Sequence, residues 1–444
     1  MKSESQVLVR PARNLRGAVT LPGDKSISHR YAMLAAIADG PSRIENYSTG
    51  ADCASTLQCL RSLGVKWERE QNDKEDAGAV IKMQGSGLSL AAPTQPLDCG
   101  NSGSTIRMLS GIVAAQNFSS EMAGDDSLSR RPMERVIVPL IAMGAKIRSQ
   151  NGRPPLQITG ARLKGIHYHM PVASAQVKTS LLFAGLLADG ETVIEEAIRT
   201  RDHGELALRA FGATVDRKGD REGDRKGNEI RIRGGQRLRG IEARIPGDIS
   251  SAAFFLCAAA LFPGSHLIIT DLLMNPTRSR LLDILVQLGL RISITQLEEV
   301  HGELVGTVQA EGGSLKGLTV TGADAAALID EIPVLAAIAP FTEQGIEVRD
   351  AKELRVKESD RIASIAANLR AMGAQVEERE DGLKIPGLQK LHGADLESFG
   401  DHRIAMAFSI AALRADGETL IRGSQSAAIS YPAFFATLDR LVER

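Results

Sequence analysis

The chain is poor in aromatic residues, poor in cysteine and nearly without net charge, and each shortage removes a class of function. Of its 444 residues only 4% are aromatic, with one Trp and four Tyr. That is thin for a protein that stacks nucleic-acid bases. The formal net charge is -1 with 24% charged residues, so no global field recruits nucleic acid or an anionic membrane, and any basic site is local. Cys53, Cys59, Cys99 and Cys257 form no CxxC and have no His at ligand spacing, which reads as reduced thiols in a cytoplasmic protein. The opening MKSESQVLVRPARN lacks the apolar core of a signal peptide, and no apolar run is long enough to span a bilayer. P-loop, GxGxxG and Ser-His-Asp patterns are also missing. His167 and His169 share a strand face with no third ligand nearby, so an ordinary strand outweighs a metal site.

What the chain does have is a repeat. GDKSISHR (from Gly23) opens a helix whose continuation, YAMLAAIADG, is apolar and small. Related helix mouths follow at Gly100, Val172, Pro246, Ile329 and Gly400. Their spacing of roughly 70–80 residues exceeds that of solenoid rungs, so each unit is a small fold in its own right. Each unit reads as a short strand entering the mouth, the helix, a turn and strand of the ADGETVI type, a second amphipathic helix, and closing strands. The expected fold is α/β, with two similar domains of three βαβαββ units each, because Pro-Gly-Asp opens both the first unit (Pro22) and the fourth (Pro246). The sixth unit ends in PAFFATLDRLVER with no closing strand, and QVLVRPA at the N-terminus is free to complete it. The expected domains are therefore 22–245, and 1–21 together with 246–444, joined by a two-strand hinge. Within them, VDRKGDREGDRKGNEIRI (215–232) is read as a solvated hairpin loop without chemistry.

Helix N-termini carry unsatisfied N–H groups and about half a positive charge, so several converging ones make an anion site without metal. Lys25, Ser26 and Arg30 could equally be an ordinary cap with solvated cations, but six analogous mouths favour a site. Lys357 and Arg361 lie four apart, a spacing at which like charges repel on a helix, so an anion is expected between them. Glu358 with Arg361 could be a surface pair. Arg199 and Arg201, and the pair Arg130-Arg131, read as site cations or solvated residues about equally. Asp330, Glu331 and Asp401 either cap their helices or serve as a general base, a role that surrounding cations would weaken by lowering the pKa.

The motifs GDKSISHR, GNSGSTIR, GDDSLSRRPM, ASAQVKTSLL, TRDH, IDEIPVLA, LRVKESDRI and GDHRIAM, in this order, resemble the 3-phosphoshikimate 1-carboxyvinyltransferase (5-enolpyruvylshikimate-3-phosphate synthase) family from end to end. The resemblance implies transfer of the enolpyruvyl group of phosphoenolpyruvate to the 5-hydroxyl of shikimate-3-phosphate, with release of phosphate and with neither metal nor organic cofactor. It implies that Lys25, Ser26, Arg30, Ser174, Gln176, Arg201, Asp330 and Lys357 contact shikimate-3-phosphate. Phosphoenolpyruvate would meet Lys25, Gly103, Arg131, Gln176, Glu358, Arg361 and Arg403. Asp330 would take the hydroxyl proton, and Glu358 and Lys25 would handle protons at the enolpyruvyl carbon and bridging oxygen.

The chain departs from the family pattern at Ala175 (often Ser), Glu353 (often Asn), Ile429 (often Lys) and Met108 (commonly Pro), while Gly103 follows it. The alternative activity is enolpyruvyl transfer to UDP-N-acetylglucosamine, whose family opens with Lys-Asn and carries a loop cysteine. Here the pair is Lys25-Ser26, and GDDSLSRRPMERV has no cysteine. A non-catalytic anion-binding scaffold would carry similar charges in every unit, whereas these six mouths differ. The expected partners are small substrates alone, with no nucleic acid or membrane, and a monomer whose two halves are held open by like charge until anionic substrates close them.

Overall fold

The computed structural model describes residues 5–70, 78–218 and 228–444. The described residues build six small sheets, and their strand orders expose the repeat. In the second unit the parallel pair Leu97–Asp98 and Ser119–Ala123 is extended by antiparallel Arg153–Thr159 and then Lys146–Gln150. The third unit repeats this order with His167–Met170, Glu191–Glu196, Glu229–Arg233 and Val215–Lys218. The fifth does so with Leu318–Val320, Ile346–Val348, Gly382–Ile385 and Glu377–Arg379. Between Val215–Lys218 and Glu229–Arg233, the charged loop itself, 219–227, lies outside the described residues.

Units one and four depart from the expected plan by exchanging their entering strands. Asn14–Thr20 leads into the first mouth helix, yet it runs parallel to His266–Leu273 in the fourth unit's sheet. Glu242–Arg244 leads into the fourth mouth helix and runs parallel to Asp39–Tyr47 in the first. The chain thus crosses twice, side by side. Asp24 N–H donates to the Pro246 carbonyl at 2.8 Å, and Asp248 N–H to that of Pro22 at 3.0 Å. Gly23 pairs with Gly247 between them, and a Cβ on Gly23 would sit 1.9 Å from the Asn46 carbonyl oxygen, so the crossing requires glycine there.

The sixth unit takes Gln6–Val9 from the N-terminus as the antiparallel partner of Thr419–Arg422. Contrary to expectation, its last helix, Phe434–Leu441, is followed by a short strand, Val442–Glu443, which pairs with Asn14 and Leu15 at the start of Asn14–Thr20.

The mouth helices Lys25–Ile37, Gly103–Val113, Ala175–Leu187, Ile249–Ala260, Ile332–Ile338 and His402–Ala412 form the cores of the halves. In the first, every residue from Ile27 to Ile37 is buried. A helix apolar on all sides belongs in an interior, and each large side chain buried there contributes roughly 1.5–3 kcal/mol. Small residues bring neighbours close: a Cβ on Gly111 would meet the Ser180 carbonyl oxygen at 2.1 Å. Polar chemistry is thereby confined to the mouths.

Candidate active site

At the first mouth the cap is Asp24, which accepts from Ile27 N–H at 2.9 Å, so Ser26 lies inside the first turn instead of capping it. Lys25 extends from this turn to Asp52 on the neighbouring helix Ala51–Ser62, with Nζ to Oδ2 at 2.9 Å. Burial alone would lower the Lys25 pKa, but the Asp52 and Glu358 carboxylates together outweigh it and the pKa is raised. Arg30 turns along the helix, donating to the Ser26 carbonyl at 2.7 Å and to Thr179 Oγ1 at 2.9 Å. Burial pulls the Arg30 pKa down to about 10.

The second and third mouths meet. Ser102 and Ser174 cap their helices, accepting from Thr105 N–H at 3.1 Å and Val177 N–H at 3.4 Å. Gln176 accepts from Arg107 Nη1 at 2.9 Å and donates to Ser104 Oγ at 2.9 Å. A Cβ on Gly103 would lie 2.7 Å from Arg107 Nη1 and 3.3 Å from Arg131 Nη1, so two guanidinium groups border this glycine. Burial first, and then Arg131, lowers the Arg107 pKa to about 10.

From the other half come the carboxylates. The fifth mouth is split into Gly322–Ala327 and Ile332–Ile338, and Asp330 sits in the turn between them instead of capping a helix. Asp330 Oδ2 accepts from Arg201 Nη2 at 2.8 Å, its Oδ1 is 3.6 Å from Arg361 Nη1, and its backbone carbonyl accepts from Arg403. Burial would raise the Asp330 pKa, yet Arg403, Arg201, Lys357 and Arg361 hold it well below the usual carboxylate range. The helix after Lys357 begins only at Arg361, so these cations do not share a helical face. Asp330, beside Arg361, and Glu358, paired with Arg361, both act on Lys357, so the protein itself supplies negative charge there. For Lys357, burial outweighs Asp330 and the pKa is lowered.

Glu358 and Arg361 are no surface pair: Arg361 is 1% exposed, and its Nη2 donates to Glu358 Oε2 at 2.6 Å while its Nε donates to Asp401 Oδ2 at 2.8 Å. Glu358 Oε1 lies 3.5 Å from Arg131 Nη1. Burial raises the Glu358 pKa, but Arg361, Arg131 and Lys25 together drive it well below normal. Asp401 does cap its helix, accepting from Arg403 N–H at 2.9 Å. Of the doublets left open by sequence, Arg130 and Arg199 turn to Asp126 and Asp202, whereas Arg131 and Arg201 join the cluster. His167 and His169 both hydrogen-bond Glu195, at 2.7 and 3.2 Å, and no metal-holding cluster occurs among the described residues.

Ser26, Arg30, Ser174 and Gln176 sit at the mouths of the first half, while Lys25, Arg131, Arg201, Asp330, Glu358, Arg361 and Arg403 are linked in one charged cluster shared by the halves. The charges that face each other there differ from the expected like-sign repulsion. Arg201–Asp330, Arg131–Glu358 and Arg135–Glu353, the last at 2.7 Å, pair opposite charges across the halves. Ile429 ends the 3-10 turn Ser424–Ile429 with its carbonyl against Gly50, two residues before the Asp52 that pairs with Lys25. Sequence reasoning missed Asp52, Arg107, Thr179 and Arg278. Arg107 and Thr179 stood inside quoted mouth motifs, GNSGSTIR and ASAQVKTSLL, but Asp52 and Arg278 lie on elements without a motif. Arg278 binds the hinge, donating to Ser250 Oγ at 2.7 Å and lying 3.3 Å from Asp24 Oδ2.

These features define an α/β protein of two three-unit halves with a cation-rich, carboxylate-bearing site shared between them. The family described as EPSP synthase (3-phosphoshikimate 1-carboxyvinyltransferase) matches residues 9–438. A 3-phosphoshikimate 1-carboxyvinyltransferase of Koribacter versatilis is 58% identical over 438 residues, covering 99% of each chain. One of Solibacter usitatus is 53% identical, covering 98% of this chain and 99% of the relative. The solved EPSP synthase of Acinetobacter baumannii superposes with a TM-score of 0.84 at 40% identity, over 99% of this chain and 98% of that one. The chain belongs to the EPSP synthase (3-phosphoshikimate 1-carboxyvinyltransferase) family.

Proposed function

We propose that the shared cluster transfers the enolpyruvyl group of phosphoenolpyruvate to the 5-hydroxyl of shikimate-3-phosphate. The observation that carries this reading is the convergence of Lys25, Arg131, Arg201, Arg361 and Arg403 around two carboxylates, Asp330 and Glu358. Arg30, Ser26, Ser174, Gln176, Arg201 and Lys357 would hold shikimate-3-phosphate, with Asp330 at its hydroxyl. Gly103 leaves space beside Arg107 and Arg131 for phosphoenolpyruvate, which Lys25, Gln176, Arg361 and Arg403 would also meet.

The chemistry is addition followed by elimination. A proton from Lys25, or from Glu358 once it has itself been protonated, goes to the methylene carbon of phosphoenolpyruvate, the acceptor oxygen bonds to its neighbour, and Asp330 takes the hydroxyl proton. The tetrahedral adduct then loses a methyl proton and phosphate, and the cations carry the departing charge. As they stand, Asp330 and Glu358 are ionised and weak bases, because cations lower both pKa values. Substrate phosphate and carboxylate groups would claim Arg201, Arg403, Arg131 and Arg361, and both carboxyls would then rise towards useful basicity.

Like-charge repulsion does not hold the halves apart, since Arg201–Asp330, Arg131–Glu358 and Arg135–Glu353 already bridge them. Closure on substrate would come from anions replacing those carboxylates as the bridge. Small-angle scattering with and without shikimate-3-phosphate reads this, and an unchanged radius of gyration counts against closure. We place the protein in the cytoplasm as a monomer. Four free, buried cysteines agree with a reducing compartment, and no helix among the described residues is long and apolar enough to cross a membrane. The deciding assay is phosphate release from phosphoenolpyruvate, with shikimate-3-phosphate or UDP-N-acetylglucosamine as acceptor, after chelator treatment. Release with shikimate-3-phosphate only, lost in Asp330→Asn, is expected. Release with neither acceptor overturns the proposal.

A further inference from the structure

Beneath the cleft, in the third unit, four charged side chains that the reaction does not use close into a ring. Lys178 Nζ lies 3.2 Å from Glu196 Oε2 and 2.8 Å from Glu205 Oε1, and Arg217 reaches the same two oxygens at 3.1 and 3.2 Å. All four side chains are at most 5% exposed. Such a ring adds little stability over apolar packing, because desolvation offsets the attraction. What it does that apolar packing would not is hold backbone. The second oxygen of Glu196 accepts the Thr200 N–H at 3.1 Å and also the Thr200 hydroxyl, while Lys178 Nζ reaches the Thr200 carbonyl at 3.5 Å.

Thr200 lies in the irregular segment between the strand Glu191–Glu196 and the helix His203–Ala210, where Ala197, Ile198 and Arg199 are exposed. Packing therefore does not fix that stretch. The next residue is Arg201, whose guanidinium enters the cleft and meets Asp330. Lys178 itself belongs to the helix that carries Gln176 and Thr179, the residue that holds Arg30.

We propose that the buried ring Lys178–Glu196–Arg217–Glu205 is a positioning device that fixes Thr200 and so aims Arg201 at the phosphorylated acceptor, in register with the helix bearing Ser174 and Gln176. This rests on the reading of Arg201 as an acceptor contact. Arg201 touches the ligand, and Thr200 and the ring act only through it.

The test measures KM for shikimate-3-phosphate, kcat and thermal midpoint in Thr200→Ala, Thr200→Ser and Glu196→Gln, and in Thr200→Ala combined with Arg201→Gln. Thr200→Ala should raise KM about two- to tenfold, the effect of one lost net hydrogen bond, with a smaller change in kcat and only a small drop in midpoint. Thr200→Ser should keep the original KM, and Glu196→Gln should raise it as Thr200→Ala does. In the Arg201→Gln background Thr200→Ala should add nothing, because the group it aims is gone. A KM unchanged by Thr200→Ala while Arg201→Gln raises it overturns the inference and leaves the site reading intact. So does an equal effect of Thr200→Ala in both backgrounds. A KM unchanged by Glu196→Gln removes the ring from the device. If Arg201→Gln itself leaves KM unaltered, the reading of Arg201 fails, and the inference with it.

Discussion

His29 and His402 are both buried at 1% exposure or less. Burial and then Lys25 hold the His29 pKa well below normal and bring that of His402 down to about 3. Both imidazoles are neutral in the folded protein at neutral pH but take a proton on unfolding below about pH 6.5. The unfolded chain then binds more protons, so stability is complete above that pH and falls as pH drops towards 3, by about 1.4 kcal/mol per pH unit for each imidazole. Thermal midpoints measured from pH 7.5 to 5 should fall accordingly, and a flat profile would contradict the burial argument. Lys25 gives a second residue-scale prediction. Lys25→Met strands a nearly buried Asp52, whose side chain is 7% exposed, at a cost of about 3–5 kcal/mol. Adding Asp52→Asn should recover much of the thermal midpoint while activity stays lost, which separates the lysine's part in folding from its part in catalysis. At this scale the sequence was legible where motif residues act at their own mouths. Asp52 was not, because its role comes from a helix packed alongside, and nothing local marks it.

Among elements, the contact between Gly103–Val113 and Ala175–Leu187 sets how closely two mouths approach. Gly111→Ala would put a methyl 2.1 Å from the Ser180 carbonyl oxygen and should cost about 1–3 kcal/mol as overpacking. It should also raise KM for phosphoenolpyruvate, because Gly103, Arg107 and Gln176 straddle that seam. A thermal melt with paired kinetics checks both, and an unchanged KM would mean the seam relaxes away from the mouths. Helical periodicity and glycine stops made the units readable along the chain. The partition of strands among sheets was only partly readable, since β pairing is long-range and the exchanged strands, LRGAVTLPGD and LRGIEARIPGD, look interchangeable. The split fifth mouth was also hidden. IDEIPVLAAIAPF reads as one helix start, and its break sets Asp330 in a turn where four cations reach it.

For the whole molecule, the sheet pairings divide the chain unevenly. Residues 22–245 include every strand that the first three sheets use, whereas 246–444 lack Gln6–Val9 and Asn14–Thr20. A fragment 22–245 should fold alone, and 246–444 should fold only when residues 1–21 are fused after Arg444 through a short linker. Circular dichroism and proteolysis of the three fragments would decide this, and an unaided, fully folded 246–444 would refute the proposed division. The crossing at Pro22 and Pro246 also bears on the order in which a ribosome releases the chain. Asn14–Thr20 is made some two hundred and fifty residues before its partner His266–Leu273, and Gln6–Val9 some four hundred residues before its partner Thr419–Arg422. The first half can close on itself while the oldest strands of the nascent chain stay unpaired, waiting for the youngest.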